Sequence, residues 1–225
     1  VGSVGSMASV GSAGSGLEGM GRGLGNKSPS SDRLTGREGK LTPAGASYSS
    51  ALADYIRYEQ QTDLVEAGKE IMVLTGTVGI HYDTVSALRD MNFRVIHTNL
   101  LNELRGGDFE GLTKDQIRDM YPEEYEKRVA DKLNYRYPGV AGESYLDVIE
   151  RVRPVIIELE RQKRSIVLVC HMAVLRCIYA YFMGVALPDI PVKPFQKHHI
   201  YELSPGPFGC TCAVIDPLDQ RTTQD

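Results

Sequence analysis

No histidine occurs in the first 80 residues; the five in the chain are His81, His97, His171, His198 and His199. Chemistry that needs an imidazole near the N-terminus therefore has none there. Positive charge is not in excess either. The balance of 25 Lys and Arg against 29 Asp and Glu leaves a net charge of −4. That excludes a basic field for nucleic acid and a polybasic patch for a membrane surface. No apolar run approaches the roughly 18 residues that span a bilayer. Cysteine is sparse: Cys170, Cys177, Cys210 and Cys212. All four are expected reduced and structural, which fits an intracellular protein. Cys210-Thr211-Cys212 is too tight for a zinc knuckle, so neither a metal nor a cofactor is expected.

What the first 40 residues do hold is glycine and serine. Such a stretch cannot bury enough apolar surface to offset the entropy lost on ordering. It lacks the apolar centre of a secretory signal. It is Ser-rich and acid-poor like a transit peptide but has few arginines, so mitochondrial targeting remains an alternative. The first residue is Val1, as in a processed, tagged or partial chain. Gly36-Arg37-Glu38-Gly39-Lys40-Leu41 lacks the first glycine and terminal hydroxyl of a phosphate loop.

A globular pattern starts near Leu41, giving three expected parts: a low-complexity segment 1–40, one domain 41–217 and a polar tail 218–225. Hydrophobic residues make up 42% of the chain, enough for a real core. Thr42-Pro43 reads as N-cap and first residue of a helix to about Glu59. Ile71 to Leu74 reads as a buried strand, His81 to Met91 as a helix and Phe93 to His97 as a strand. Leu112 to Tyr121 and Glu123 to Leu133 read as helices in an acidic excursion. Gly142-Glu143-Ser144 leads into an amphipathic helix to about Gln162, kinked at Pro154. Ile166 to Cys170 is a strand, followed by a helix from Met172 to Phe182 and a strand pair near 199–203 and 211–215. The alternation predicts an α/β fold: a mostly parallel central sheet with helices on both faces.

His171 is the focal residue. It ends an apolar strand and opens a helix, the place where an α/β sheet presents catalytic groups. Alone, a histidine there is most often a buried structural one. Its neighbours add to it. Leu101-Asn102-Glu103, Tyr121-Pro122-Glu123-Glu124, Tyr135-Arg136-Tyr137-Pro138, Gly142-Glu143-Ser144-Tyr145, Val169-Cys170-His171 through Arg176-Cys177 and Leu203-Ser204-Pro205 occur in order. From Leu41 to about Pro217 the chain resembles the bisphosphatase domain of 6-phosphofructo-2-kinase/fructose-2,6-bisphosphatase, within the phosphoglycerate-mutase-like histidine phosphatases.

The resemblance implies a mechanism. In active members a histidine in an Arg-His-Gly motif attacks phosphorus and becomes phosphohistidine. A glutamate protonates the leaving oxygen, and a second histidine with two arginines holds the phosphate. Glu103 matches the acid and His171 the phosphate-holding histidine. Arg128, Lys132, Tyr145 and Arg176 match positions that grip a second phosphate and the sugar. Met172 stands where a glutamine is usual, and Lys114 where a sugar-pocket tyrosine is usual.

The chemical centre departs further. Counted back without gaps from Leu41, the Arg-His-Gly position falls on Gly23-Leu24-Gly25. The strand before it would be Ser12 to Met20, a stretch with little β-propensity. Ile80 takes the place of the second clamp arginine. The expectation is a catalytically degenerate fructose-2,6-bisphosphatase-like domain with a structural, scaffolding or regulatory role. A sugar phosphate is its expected small ligand, protein partners are expected through the N-terminal segment, and cytoplasmic location follows from the resemblance. The alternative is an active phosphatase on fructose-2,6-bisphosphate or a related phospho-sugar, with His81 conceivable as a relocated nucleophile. An apolar plug such as Leu24 or Ile80 opposite His171 and Glu103 would favour the first; a second histidine there would favour the second.

Overall fold

A computed structural model describes residues 6–9, 40–62, 71–162 and 164–219. Its elements in chain order are β1 (Ser6–Ser9), α1 (Pro43–Thr62), β2 (Met72–Thr75), α2 (Gly79–Asp90), β3 (Arg94–His97), α3 (Lys114–Met120), α4 (Pro122–Ala130), α5 (Tyr145–Arg161), β4 (Ile166–Cys170), α6 (Met172–Met183), β5 (Ile200–Gly206) and β6 (Gly209–Ile215). The sheet order is β3-β2-β4-β1-β5-β6. The first four strands run parallel, and β5 and β6 add an antiparallel hairpin against β1.

The sequence of β4 explains the layering. Every residue of Ile166-Val167-Leu168-Val169-Cys170 is buried, because helices cover both faces. Ile166, Leu168 and Cys170 face one core with α5 and α6 residues such as Val148, Val152, Ile156 and Val174. Val167 and Val169 face the other, with Tyr48, Leu52 and Ile56 of α1 and Val85 and Leu88 of α2. The period of two in the strand divides its side chains between two separate cores.

Local chemistry sets the helix ends. The Thr42 hydroxyl accepts from the Gly45 amide at 3.1 Å at the start of α1. Ser144 and Asp147 form a capping box at the start of α5. Gly184 ends α6 with φ of +67°, a left-handed conformation that costs glycine little. Helix α5 runs on through Pro154 as one element. Most expected elements differ from the observed ones by one to three residues at their ends, where helices and strands fray.

The N-terminal strand is a larger difference. A strand is described at Ser6–Ser9; the expected one, Ser12 to Met20, falls outside the described residues together with Leu24. Met7 pairs with Leu168 on one side and with Tyr201 on the other. A strand inserted between two others is held by a backbone ladder on each side. Ser6-Met7-Ala8-Ser9 is glycine-free, whereas Gly14, Gly16 and Gly19 interrupt the later stretch. Among the described residues, no helix is long and apolar enough to cross a membrane.

Candidate functional site

The parallel strands all point their C-terminal ends to one pole, and the candidate residues gather there. His171 is the N-cap of α6, and its side chain takes no part in the cap. It is only 1% exposed. Its Nδ1 lies 3.8 Å from Glu103 Oε2. Burial lowers the His171 pKa, the Glu103 carboxylate opposes that shift, and Arg151 adds to it.

Glu103 follows a short 3₁₀ turn, Asn99–Leu101, that leaves β3. Its Oε1 accepts from the Leu104 amide at 2.9 Å. Arg151 of α5 holds this loop in place. One guanidinium nitrogen donates to the carbonyls of Asn99, Leu100 and Asn102 at 3.2, 2.8 and 3.1 Å. The other donates to Asn102 and Glu103 carbonyls at 3.2 and 3.3 Å and to Glu143 Oε2 at 3.1 Å. Arg151 Nε and Glu143 Oε1 are 2.9 Å apart, and both side chains are 10% exposed. Sequence reasoning missed Arg151. The available signal was its position eight residues after Glu143, on the helix that the Gly142-Glu143-Ser144-Tyr145 block opens.

A second group lies beside it. The Arg176 guanidinium donates to the Tyr145 hydroxyl at 2.9 Å and to the Lys193 carbonyl at 2.9 Å. Burial pushes the Tyr145 pKa up to about 12; Arg176 works against that rise and the Glu103 charge adds to it. Arg128 donates to the Tyr137 hydroxyl at 2.6 Å. Burial raises the Tyr137 pKa, Arg128 works against that rise, and the Glu103 charge adds to it. Lys132 is half-buried and follows Asp131, the C-cap of α4.

The space beside His171 is filled by His81. This side chain comes from the first turn of α2 and is 0% exposed. The two imidazoles meet edge to face, with centroids 4.5 Å apart and planes at 70°. His81 Nδ1 and Nε2, His171 Nδ1 and Thr75 Oγ1 are buried without a hydrogen-bond partner. Burial, with His171 and His97 nearby, takes the His81 pKa down to about 2, so the ring is uncharged. The contact depends on Gly76: a Cβ added there would lie 2.2 Å from two His81 ring atoms. Asn102 ties the β2–α2 turn to the Glu103 loop, accepting from the Thr77 amide at 2.8 Å and donating to its hydroxyl at 2.9 Å.

Residues 33–216 match the histidine phosphatase superfamily (branch 1). The chain belongs to that superfamily. Curated relatives narrow the resemblance. It is 38% identical over 183 residues to Homo sapiens 6-phosphofructo-2-kinase/fructose-2,6-bisphosphatase 3, covering 81% of this chain and 32% of that protein. It is 35% identical over 202 residues to Saccharomyces cerevisiae 6-phosphofructo-2-kinase 1, covering 82% of this chain and 24% of the relative. To a probable fructose-2,6-bisphosphatase of Schizosaccharomyces pombe it is 36% identical over 188 residues, covering 84% and 42%. The chain thus spans less than half the length of these relatives. Solved structures show the same fold. A putative α-ribazole-5′-phosphate phosphatase of Escherichia coli superposes with a TM-score of 0.71 at 17% identity, over 94% of this chain and 96% of that one. A mycobacterial glucosyl-3-phosphoglycerate phosphatase does so with a TM-score of 0.67 at 19% identity, over 94% and 97%.

This histidine phosphatase domain is fructose-2,6-bisphosphatase-like, and its pole differs from the sequence-based expectation in one respect. Ile80 is not the plug. It is 7% exposed and turns into the core shared with Tyr48, Leu52 and Val85. A helical step of about 100° separates neighbouring side chains, so turning Ile80 inward aims His81 at the site. His171 lies beside Glu103, Tyr145 is bonded to Arg176, and Arg128 is bonded to Tyr137.

Proposed function

We propose that this chain is a fructose-2,6-bisphosphatase-like domain that has lost phosphatase turnover and acts as a binding or regulatory unit for a phospho-sugar. The observation that carries the reading is the missing nucleophile: no histidine lies in residues 1–80, where the Arg-His-Gly motif would fall. Phosphoryl transfer to a histidine needs a phosphoryl group in line with one ring and held by the other. Two rings 4.5 Å apart and sealed from solvent leave no room for that group between them. The offsetting cations are also wanting. Arg151 is engaged with carbonyl groups and Glu143, and Ile80, in the sequence register of the clamp arginine, is apolar and packs into the core. What remains is the Tyr145, Arg176 and Arg128 group, with Lys132 as a further cation for an anionic sugar.

One observation favours a second reading: the residue beside His171 is itself a histidine. His81, kept neutral, has the protonation state of a nucleophile, and it would need an opening motion to meet substrate. A single assay separates the two. The full chain is incubated with fructose-2,6-bisphosphate and other phosphorylated sugars, and inorganic phosphate and acid-labile phosphohistidine are measured. Release at background level, unchanged in His171→Ala, is the expected result. Turnover that His171→Ala abolishes, with label on His81, would overturn the proposal.

A further inference from the structure

A cavity of about 330 Å³ lies at the other pole of the sheet, lined by Met72, Arg94, Ile96, Glu158, Gln162, Arg164, Ser165 and Ile166. Met72, Arg94 and Ile166 are the first residues of β2, β3 and β4. His171 is five residues on from Ile166, roughly 16 Å along the strand. The cavity is therefore separate from the histidine pole.

Register explains how it is built. Met72 pairs with Arg94 and with Ile166, so all three project from the same face of the sheet. Ile96 pairs with Leu74 and shares that face. Helix α5 ends at Arg161, and Glu158 and Gln162 at that end border the cavity. Met72, Ile96 and Ile166 form an apolar floor. Arg94 and Arg164 are both exposed at the rim, and neither makes an ion pair with a described residue. The single lining carboxylate, Glu158, already accepts from the Gln162 side chain. Two guanidinium groups face one engaged carboxylate, so the rim carries net positive charge over an apolar floor. Guanidinium forks match phosphate oxygens in pairs.

We propose that this cavity binds a small phosphate monoester on a short carbon frame, its phosphate bridging Arg94 and Arg164 and its carbon frame lying on Met72, Ile96 and Ile166. The volume is within the range of small-molecule sites. Ser165 and the Gln162 amide supply further hydrogen-bond groups at the rim.

The test uses the full chain and hexyl phosphate as the probe, with hexanol and inorganic phosphate as controls. Backbone amide NMR signals of Met72, Ile96, Ser165 and Ile166 are followed through titration. Hexyl phosphate is expected to shift these signals at lower concentration than either control, because only it satisfies both floor and rim. The double variant Arg94→Ala/Arg164→Ala, at exposed positions that the fold tolerates, is expected to weaken binding about tenfold or more. A response equal to that of hexanol, no response at millimolar probe, or binding unchanged in the double variant would each overturn the proposal. Signals of Tyr145 and Arg176 serve as an internal control, since a shift confined to them would report the other pole and also count against it.

Discussion

His81 and His171 hold their environment at a cost that pH exposes. Each ring is buried and favours its neutral form, and the His81 pKa falls to about 2. In the unfolded chain a histidine titrates near 6.5. Between those values the unfolded state binds more protons than the folded one, so stability rises with pH across that window and is lost as pH falls below about 6.5. The expected comparison is His81→Leu against the parent in urea melts from pH 7 to pH 4. The variant's stability should fall less steeply, by about 1 kcal/mol per pH unit. Parallel pH profiles would show that His81 is accessible and titrates normally in the fold.

Arg151 and Glu143 form the other residue-scale device. Each is 10% exposed at the side chain, so removing Arg151 leaves the buried Glu143 only the longer 4.0 Å contact to Arg105 and its amide. Arg151→Ala is expected to destabilise by about 3–5 kcal/mol in urea denaturation at pH 7. Arg151→Met combined with Glu143→Leu should cost much less, because no charge is left unpaired. A double variant as unstable as Arg151→Ala would mean that the lost carbonyl contacts dominate, in place of charge burial.

Among the elements, α5 carries the site's scaffold. Its cap is the Ser144–Asp147 box, its inner face packs Val148, Val152, Val155, Ile156 and Leu159, and it delivers Tyr145 and Arg151 to the pole. Ser144→Ala is expected to lower stability by about 1 kcal/mol and to weaken phospho-sugar binding, since Tyr145 is the first residue of the helix. A thermal melt with and without fructose-2,6-bisphosphate reads both effects; a stability loss with unchanged ligand response would detach Tyr145 from binding. This element was legible in the sequence, because a 3.6-residue apolar period and a capping pair are local signals. Strand β1 was not. Four residues of Ser, Met and Ala carry no pattern, and only the open ladder positions of β4 and β5 select them. The direction of His81 was equally hidden: periodicity gave the helix, but the phase of its first turn is fixed by Ile80 packing into the α1–α2 core.

For the molecule as a whole, topology and site are linked by strand direction. Four parallel strands send Thr75, His97, Cys170 and Ser9 to one pole, where loops and helix starts bring His171 to Glu103 and Tyr145 to Arg176. The opposite pole keeps the Arg94–Arg164 cavity. The alternating elements and the ordered sequence blocks made this architecture readable in advance. They could not show that a buried imidazole packs against His171, because that depends on the 4.5 Å packing of two side chains 90 residues apart. The most direct measurement of that claim is imidazole ¹⁵N NMR of His81 and His171 in the full chain, titrated first with acid and then with inorganic phosphate. Both rings are predicted to stay neutral down to acid unfolding and to ignore millimolar phosphate. A His81 signal that titrates near 6.5, or that moves with phosphate, would contradict the account.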